Sequence, residues 1–173
     1  MSNYIPIQIA ADFEKRYPDS NARATECAMN LVLTADQLER QIAGLLQPFD
    51  LSPATGLVLS ILADAEEPVS PNRIADRLII SRASVTSLLD SLEKRGYVKR
   101  HPHQSDRRML VIELTAAGRK AAEQFRPVVH HCQKEWLQVL SDQEQAQLLN
   151  MLHRVQASLA QTSGIPGSTT GIG

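Results

Sequence analysis

"SRASVTSLLDSLEKRG" occupies residues 81–96 and decides the fold. Val85, Leu88, Leu89 and Leu92 fall at i, i+3, i+4 and i+7, so the segment predicts a helix with one buried stripe. Ser81 is an N-cap residue type, and Gly96 is a natural stop. The side away from the stripe begins with Arg82, Ser84, Thr86 and Ser87. These are short hydroxyls and one guanidinium, a combination that leaves the first turns free to enter a groove.

Working upstream, "SPNRIADRLII" at residues 70–80 predicts a short helix, with Ser70 as cap and Pro71 at the first helical position. Ile74, Ala75 and Leu78 turn inward. "DLSP" repeats the start signal at Ser52-Pro53, and Leu57, Val58, Ile61 and Leu62 give that helix its stripe. From Ala22 to Gln47 apolar residues recur at helical spacing until Pro48. "PDSN" at 18–21 separates this long helix from residues 5–17, which read as a short helix or an arm.

Working downstream, "YVKRHP" and "RMLVIEL" predict two strands around the tip "HQSD". Thr115 restarts a long helix with Pro127 inside it, where a bend or a loosened turn is expected. Ser141-Asp142 caps a last helix carrying Leu148, Leu149, Leu152, Val155 and Leu159. The end, "QTSGIPGSTTGIG", has the composition of a disordered tail. The fold class is therefore mainly α with a small β-hairpin wing: a winged helix-turn-helix flanked by long dimerisation helices. The expected divisions are an N-terminal arm and helix (1–50), the winged domain (51–115), C-terminal helices (116–162) and a tail (163–173). The outer helices are too long and apolar for one small domain, so a homodimer is expected.

The chain has 173 residues and a net charge of -1. That small charge conceals an asymmetry. From Ser70 to Leu110 nine positive residues face four negative ones, while the remainder holds nine positives and fifteen negatives. A basic segment in an acidic frame suggests a local polyanion-binding face. No apolar run reaches the length of a bilayer span, and the N-terminus lacks the features of a signal peptide, so a cytoplasmic protein is expected.

Double-stranded DNA is the polyanion that suits this arrangement. A recognition helix enters the major groove by its first turns. Arg82 can donate two bonds to a guanine edge, and the hydroxyls of Ser84, Thr86 and Ser87 can meet bases or phosphates. Against that stands the plain reading of Ser and Thr near a helix start as caps, which suits Ser81. Ser70, Asn72 and Arg73 open the preceding helix and are candidate phosphate contacts, or ordinary surface. At the hairpin tip, Asp106, Arg107 and Arg108 can reach an adjacent minor groove, whose negative potential attracts arginine. Asp106 can hold an arginine extended, or can simply form a surface ion pair of small worth.

"SRASVTSLLDSLEKRGYVKR" (81–100) and "SDRRMLVIELTAAGRK" (105–120) together resemble the MarR family of bacterial transcription regulators. The second stretch holds an Asp-x-Arg wing signature at Asp106 and Arg108, followed by Leu114-Thr115 and Gly118. The resemblance implies a homodimer bound to a pseudo-palindromic operator. It assigns Arg108 to the minor groove, Asp106 to partnering it, and Arg82 to Ser87 to the major-groove face. It also implies a repressor that a small-molecule effector releases, with small aromatic or phenolic compounds as the expected effector class. An activator, a redox-sensing regulator, or a winged-helix protein-interaction module are the alternatives.

Leu45, Leu57, Ile61 and Trp136 can line an effector cleft but read first as plain core, so no ligand residues are assigned. Cys27 is the candidate redox residue, since the resemblance includes an oxidant-sensing branch with a cysteine in this helix. Here an acidic neighbour, Glu26, sits beside it, and no tyrosine lies at helical spacing. The histidines form no zinc spacing within one element. No glycine-rich phosphate loop or catalytic triad arrangement is present, so neither an enzyme nor a cofactor is expected.

Overall fold

The computed structural model describes residues 5–103 and 109–162. The chain runs α1 (Phe13–Arg16), α2 (Ala22–Leu46), a 3-10 turn (Gln47–Phe49), α3 (Pro53–Ala63), α4 (Pro71–Leu78), α5 (Arg82–Lys94), β1 (Val98–Pro102), β2 (Leu110–Leu114), α6 (Ala116–Leu137) and α7 (Asp142–Thr162). Two compact units result, Met1–Val129 and His130–Gly173. Among the described residues no single helix is long and apolar enough to cross a membrane.

The start signals act as read. Ser52 accepts from the Thr55 N–H and Thr55 returns a bond to the Ser52 N–H, a capping box with Pro53 at the first position. Ser70 and Ser81 cap α4 and α5. Residues 5–17 divide between the two expectations. Phe13–Arg16 forms a single turn. The preceding arm is tied to α2, where Asn30 accepts from the Ile7 N–H and donates to the Ile7 carbonyl. Glu26 accepts from the Ile9 N–H. Pro127 lies inside α6, and the helix continues through it.

β1 and β2 pair antiparallel, with Arg100 opposite Ile112. Ile112 also exchanges two backbone bonds with Val69, at 2.8 and 3.1 Å, so β2 is paired on its other edge too at this point. The sequence does not announce this bridge: one apolar residue between Pro68 and Ser70 has no period to read. Val58, Leu59, Ile74, Val85, Leu89, Leu92 and Ile112 are fully buried and join one core with Leu46 and Phe125. Each such side chain contributes roughly 1.5–3 kcal/mol by leaving water. The Phe49 and Phe125 rings meet edge-on at 5.9 Å.

The end of the hairpin is locked to the start of α6. Thr115 Oγ1 donates to the Gly96 carbonyl at 2.6 Å and accepts from the Gly118 N–H at 3.0 Å. Gly96 sits at φ +73°, so it turns the chain where a side chain would be strained. Gly118 is needed for a different reason. A Cβ there would lie 2.0 Å from the Tyr97 carbonyl oxygen.

Ile79 ends α4 at φ +55°, ψ +43°, a left-handed conformation that a β-branched side chain rarely adopts, and it is 70% exposed.

Two stability outcomes follow. Gly118→Ala is expected to destabilise the winged unit by about 1–3 kcal/mol or more, because backbone must move to admit the methyl group. Ile79→Asn is expected to stabilise it by roughly 1 kcal/mol through relief of left-handed strain. Denaturant unfolding of both variants beside wild type checks each sign.

Candidate nucleic-acid interface

α5 is positioned by its buried stripe. Val85, Leu89 and Leu92 are buried, with Leu88 half-buried at the border. The same rotation leaves Arg82, Ser84, Thr86 and Ser87 exposed. The hydroxyls on this face differ in what they already do. Ser81 Oγ accepts from the Ser84 N–H at 3.1 Å, and the two hydroxyls share a bond of 2.8 Å. Thr86 Oγ1 donates to the Arg82 carbonyl one turn back, at 3.0 Å. Among the described residues the Arg82 and Ser87 side chains make no hydrogen bond or ion pair.

At α4, Ser70 Oγ accepts from the Arg73 N–H at 3.3 Å, while Asn72 and Arg73 are exposed. The structure therefore brings these residues and the α5 face onto successive elements of a helix-turn-helix. Asp106, Arg107 and Arg108 lie outside the described residues. The strands that carry them end at Pro102 and Leu110, where the His103 N–H donates to the Met109 carbonyl at 2.8 Å.

The basic segment divides in two. Arg95 donates to Asp50 at 2.9 Å and to Ser91 at 2.7 Å. Arg100 turns toward α5, donating to Asp90 Oδ1 at 2.5 Å and to the Thr86 carbonyl at 3.3 Å, with Glu93 3.6 Å away. Arg73, Arg77, Arg82, Lys94 and Lys99 have no ion pair among the described residues. Charge counting along the sequence treats all of these cations alike. The inward role of Arg100 had one legible signal: Thr86, Asp90 and Glu93 share a helical stripe at i, i+4 and i+7.

Elsewhere the candidates stay apart. Cys27 is exposed and Cys132 half-buried, and both are free thiols. Among the described residues no cluster of His, Cys, Asp and Glu could hold a metal ion. A cavity of about 320 Å³ in the winged unit is lined by Ile61, Asp64, Ala65, Glu66, Glu67, Val69, Arg73 and Arg77. Of the apolar residues considered for an effector cleft, only Ile61 is among its walls, and the lining is mostly charged.

Comparison with known proteins agrees with this geometry. The sequence pattern of the MarR family matches residues 49–109. The chain is 29% identical over 137 residues to the HTH-type transcriptional repressor YetL of Bacillus subtilis, covering 79% of this chain and 82% of that one. It is 27% identical over 164 residues to the HTH-type transcriptional regulator PecS of Dickeya dadantii, covering 92% and 98%. The fold matches the S. aureus MepR–DNA complex with a TM-score of 0.71 at 23% identity, covering 76% of this chain and 96% of that chain. The chain is similar to MarR-family transcriptional regulators and has their winged-helix fold.

Proposed function

We propose that this regulator is a homodimeric repressor that reads a pseudo-palindromic operator in double-stranded DNA and leaves it when a small aromatic or phenolic effector binds. The observation that carries the DNA reading is the N-terminal face of α5, where Arg82 and Ser87 are exposed and, among the described residues, make no side-chain hydrogen bond or ion pair. A guanidinium without an intramolecular partner can give both its donors to a guanine edge. Ser70, Asn72 and Arg73 then face the backbone, with Lys99 adding positive charge at the hairpin. Asp106, Arg107 and Arg108 belong to the wing tip in this reading. The MepR structure is named as a DNA complex, which supports the same use of the fold here.

Dimerisation is supported by apolar surface that a lone chain leaves in water. In one unit, Leu31, Val32 and Leu38 of α2 are 40%, 67% and 36% exposed. In the other, Leu149, Val155 and Leu159 of α7 are 56%, 44% and 62% exposed. Surfaces of this kind mark interfaces. In this arrangement residues 51–115 read DNA, and helices before 50 and from 116 to 162 hold two copies together. Two recognition helices about one turn of duplex apart multiply the specificity of each. The repressor role follows YetL by its name, and the effector follows the family resemblance. The place of action is the cytoplasm.

Fluorescence anisotropy on duplexes selected from random DNA tests the reading. Arg82→Ala is expected to cost roughly 1–3 kcal/mol on the selected site and to relax preference at one position. Arg108→Ala is expected to weaken binding and change preference at flanking A/T steps. Variants that bind like wild type would sink the assignment. Val155→Glu combined with Leu159→Glu is expected to give monomers by light scattering and weak operator binding, since each carboxylate would be desolvated in the interface.

A further inference from the structure

We propose that Arg100 is a positioning residue for DNA reading, the joint that sets the angle between the hairpin and α5. This rests on the DNA-reading proposal above. Arg100 stands on β1, opposite Ile112, and its side chain is 24% exposed. Its guanidinium crosses to α5, where one nitrogen donates to Asp90 at 2.5 Å and to the Thr86 carbonyl at 3.3 Å. Glu93 stands at 3.6 Å from Nε, within ion-pair range. The three acceptors belong to residues on one exposed stripe of α5. Arg82 and Ser87 are exposed on the same helix, so the helix Arg100 holds is the helix that reads.

Two physical consequences separate this residue from its basic neighbours. The turn at Gly96 alone would let the hairpin pivot on α5; the buried Val98 and Ile112, and two bonds from one guanidinium nitrogen to the helix, oppose that pivot. The pivot matters because the wing tip and α5 must reach adjacent grooves at once. The joint is also not a phosphate contact. Its charge is spent on Asp90 and Glu93, so it adds no net attraction for a polyanion.

The test uses the full chain and compares wild type, Arg100→Lys and Asp90→Asn on a selected operator and a scrambled duplex. Anisotropy is read across a salt series, and amide exchange is followed in β1, β2 and α3. Arg100→Lys keeps the charge and replaces the planar guanidinium with a shorter, compact ammonium. It is expected to weaken operator binding at least about tenfold, with scrambled-duplex affinity and salt slope unchanged. Exchange should quicken in the hairpin and stay slow in α3. Asp90→Asn is expected to weaken operator binding too, although losing a carboxylate favours a polyanion by charge alone. The proposal is overturned if Arg100→Lys binds like wild type, or if both duplexes lose equally. It is also overturned if Asp90→Asn strengthens binding to both, which would make the role charge masking. Wild type that fails to prefer any selected duplex would overturn the DNA reading itself, and the joint with it. Should Arg100→Lys unfold, seen as fast exchange in α3, Asp90→Asn decides alone.

Discussion

Burial of Val85, Leu89 and Leu92 is the constraint on which the rest depends. These side chains are 0%, 1% and 0% exposed. A helix that sinks one stripe so completely has no rotational freedom left, and its opposite face is thereby chosen. Rotating α5 by one residue would bring Arg82 or Ser84 toward the core and lift apolar atoms into water. The cost of burying an unpaired guanidinium is far larger than any single contact the surface could offer in return. The exposed face on which the proposed reading rests is thus a by-product of the core.

The hairpin depends on the same core. Val98 and Ile112 are 1% and 0% exposed, and they anchor the strands in the core that α5 shares. Val69 pairs with Ile112 on the far side, so β2 is held between two partners. Thr115 and Gly118 then fasten α6 to the turn at Gly96 and Tyr97. The motif "LTAAG" is explained by this packing: a hydroxyl that bridges two elements, and a glycine where another residue's carbonyl fills the place of a side chain.

Electrostatics divides the basic segment into two tasks. Arg95 and Arg100 are structural cations, bound to carboxylates on other elements. Arg73, Arg77, Arg82, Lys94 and Lys99 are left without an ion pair among the described residues. The charged groups of the first α7 turn follow a local logic of their own. Ser141 donates to Glu144 through both its N–H and its hydroxyl, at 2.8 and 2.7 Å. Those two bonds hold the Glu144 carboxyl below its usual pKa, by favouring its charged form.

Much of this was legible in the residues before any coordinates. The stripe of α5, the caps at Ser52, Ser70 and Ser81, the stop at Gly96 and both strands are local signals, because period and capping act within a turn or two. So was the exposed face bearing Arg82, Ser84, Thr86 and Ser87, since it is the complement of the stripe. Only tertiary structure decided which cations are spent and which are free. Arg100 and Asp90 are ten residues apart, Arg95 and Asp50 forty-five, and no period links either pair. The Val69 bridge and the reason for Gly118 belong with them. Each is a contact across the fold, signalled at most on one side as by the Thr86, Asp90 and Glu93 stripe, and it exists because the core brings those backbones together.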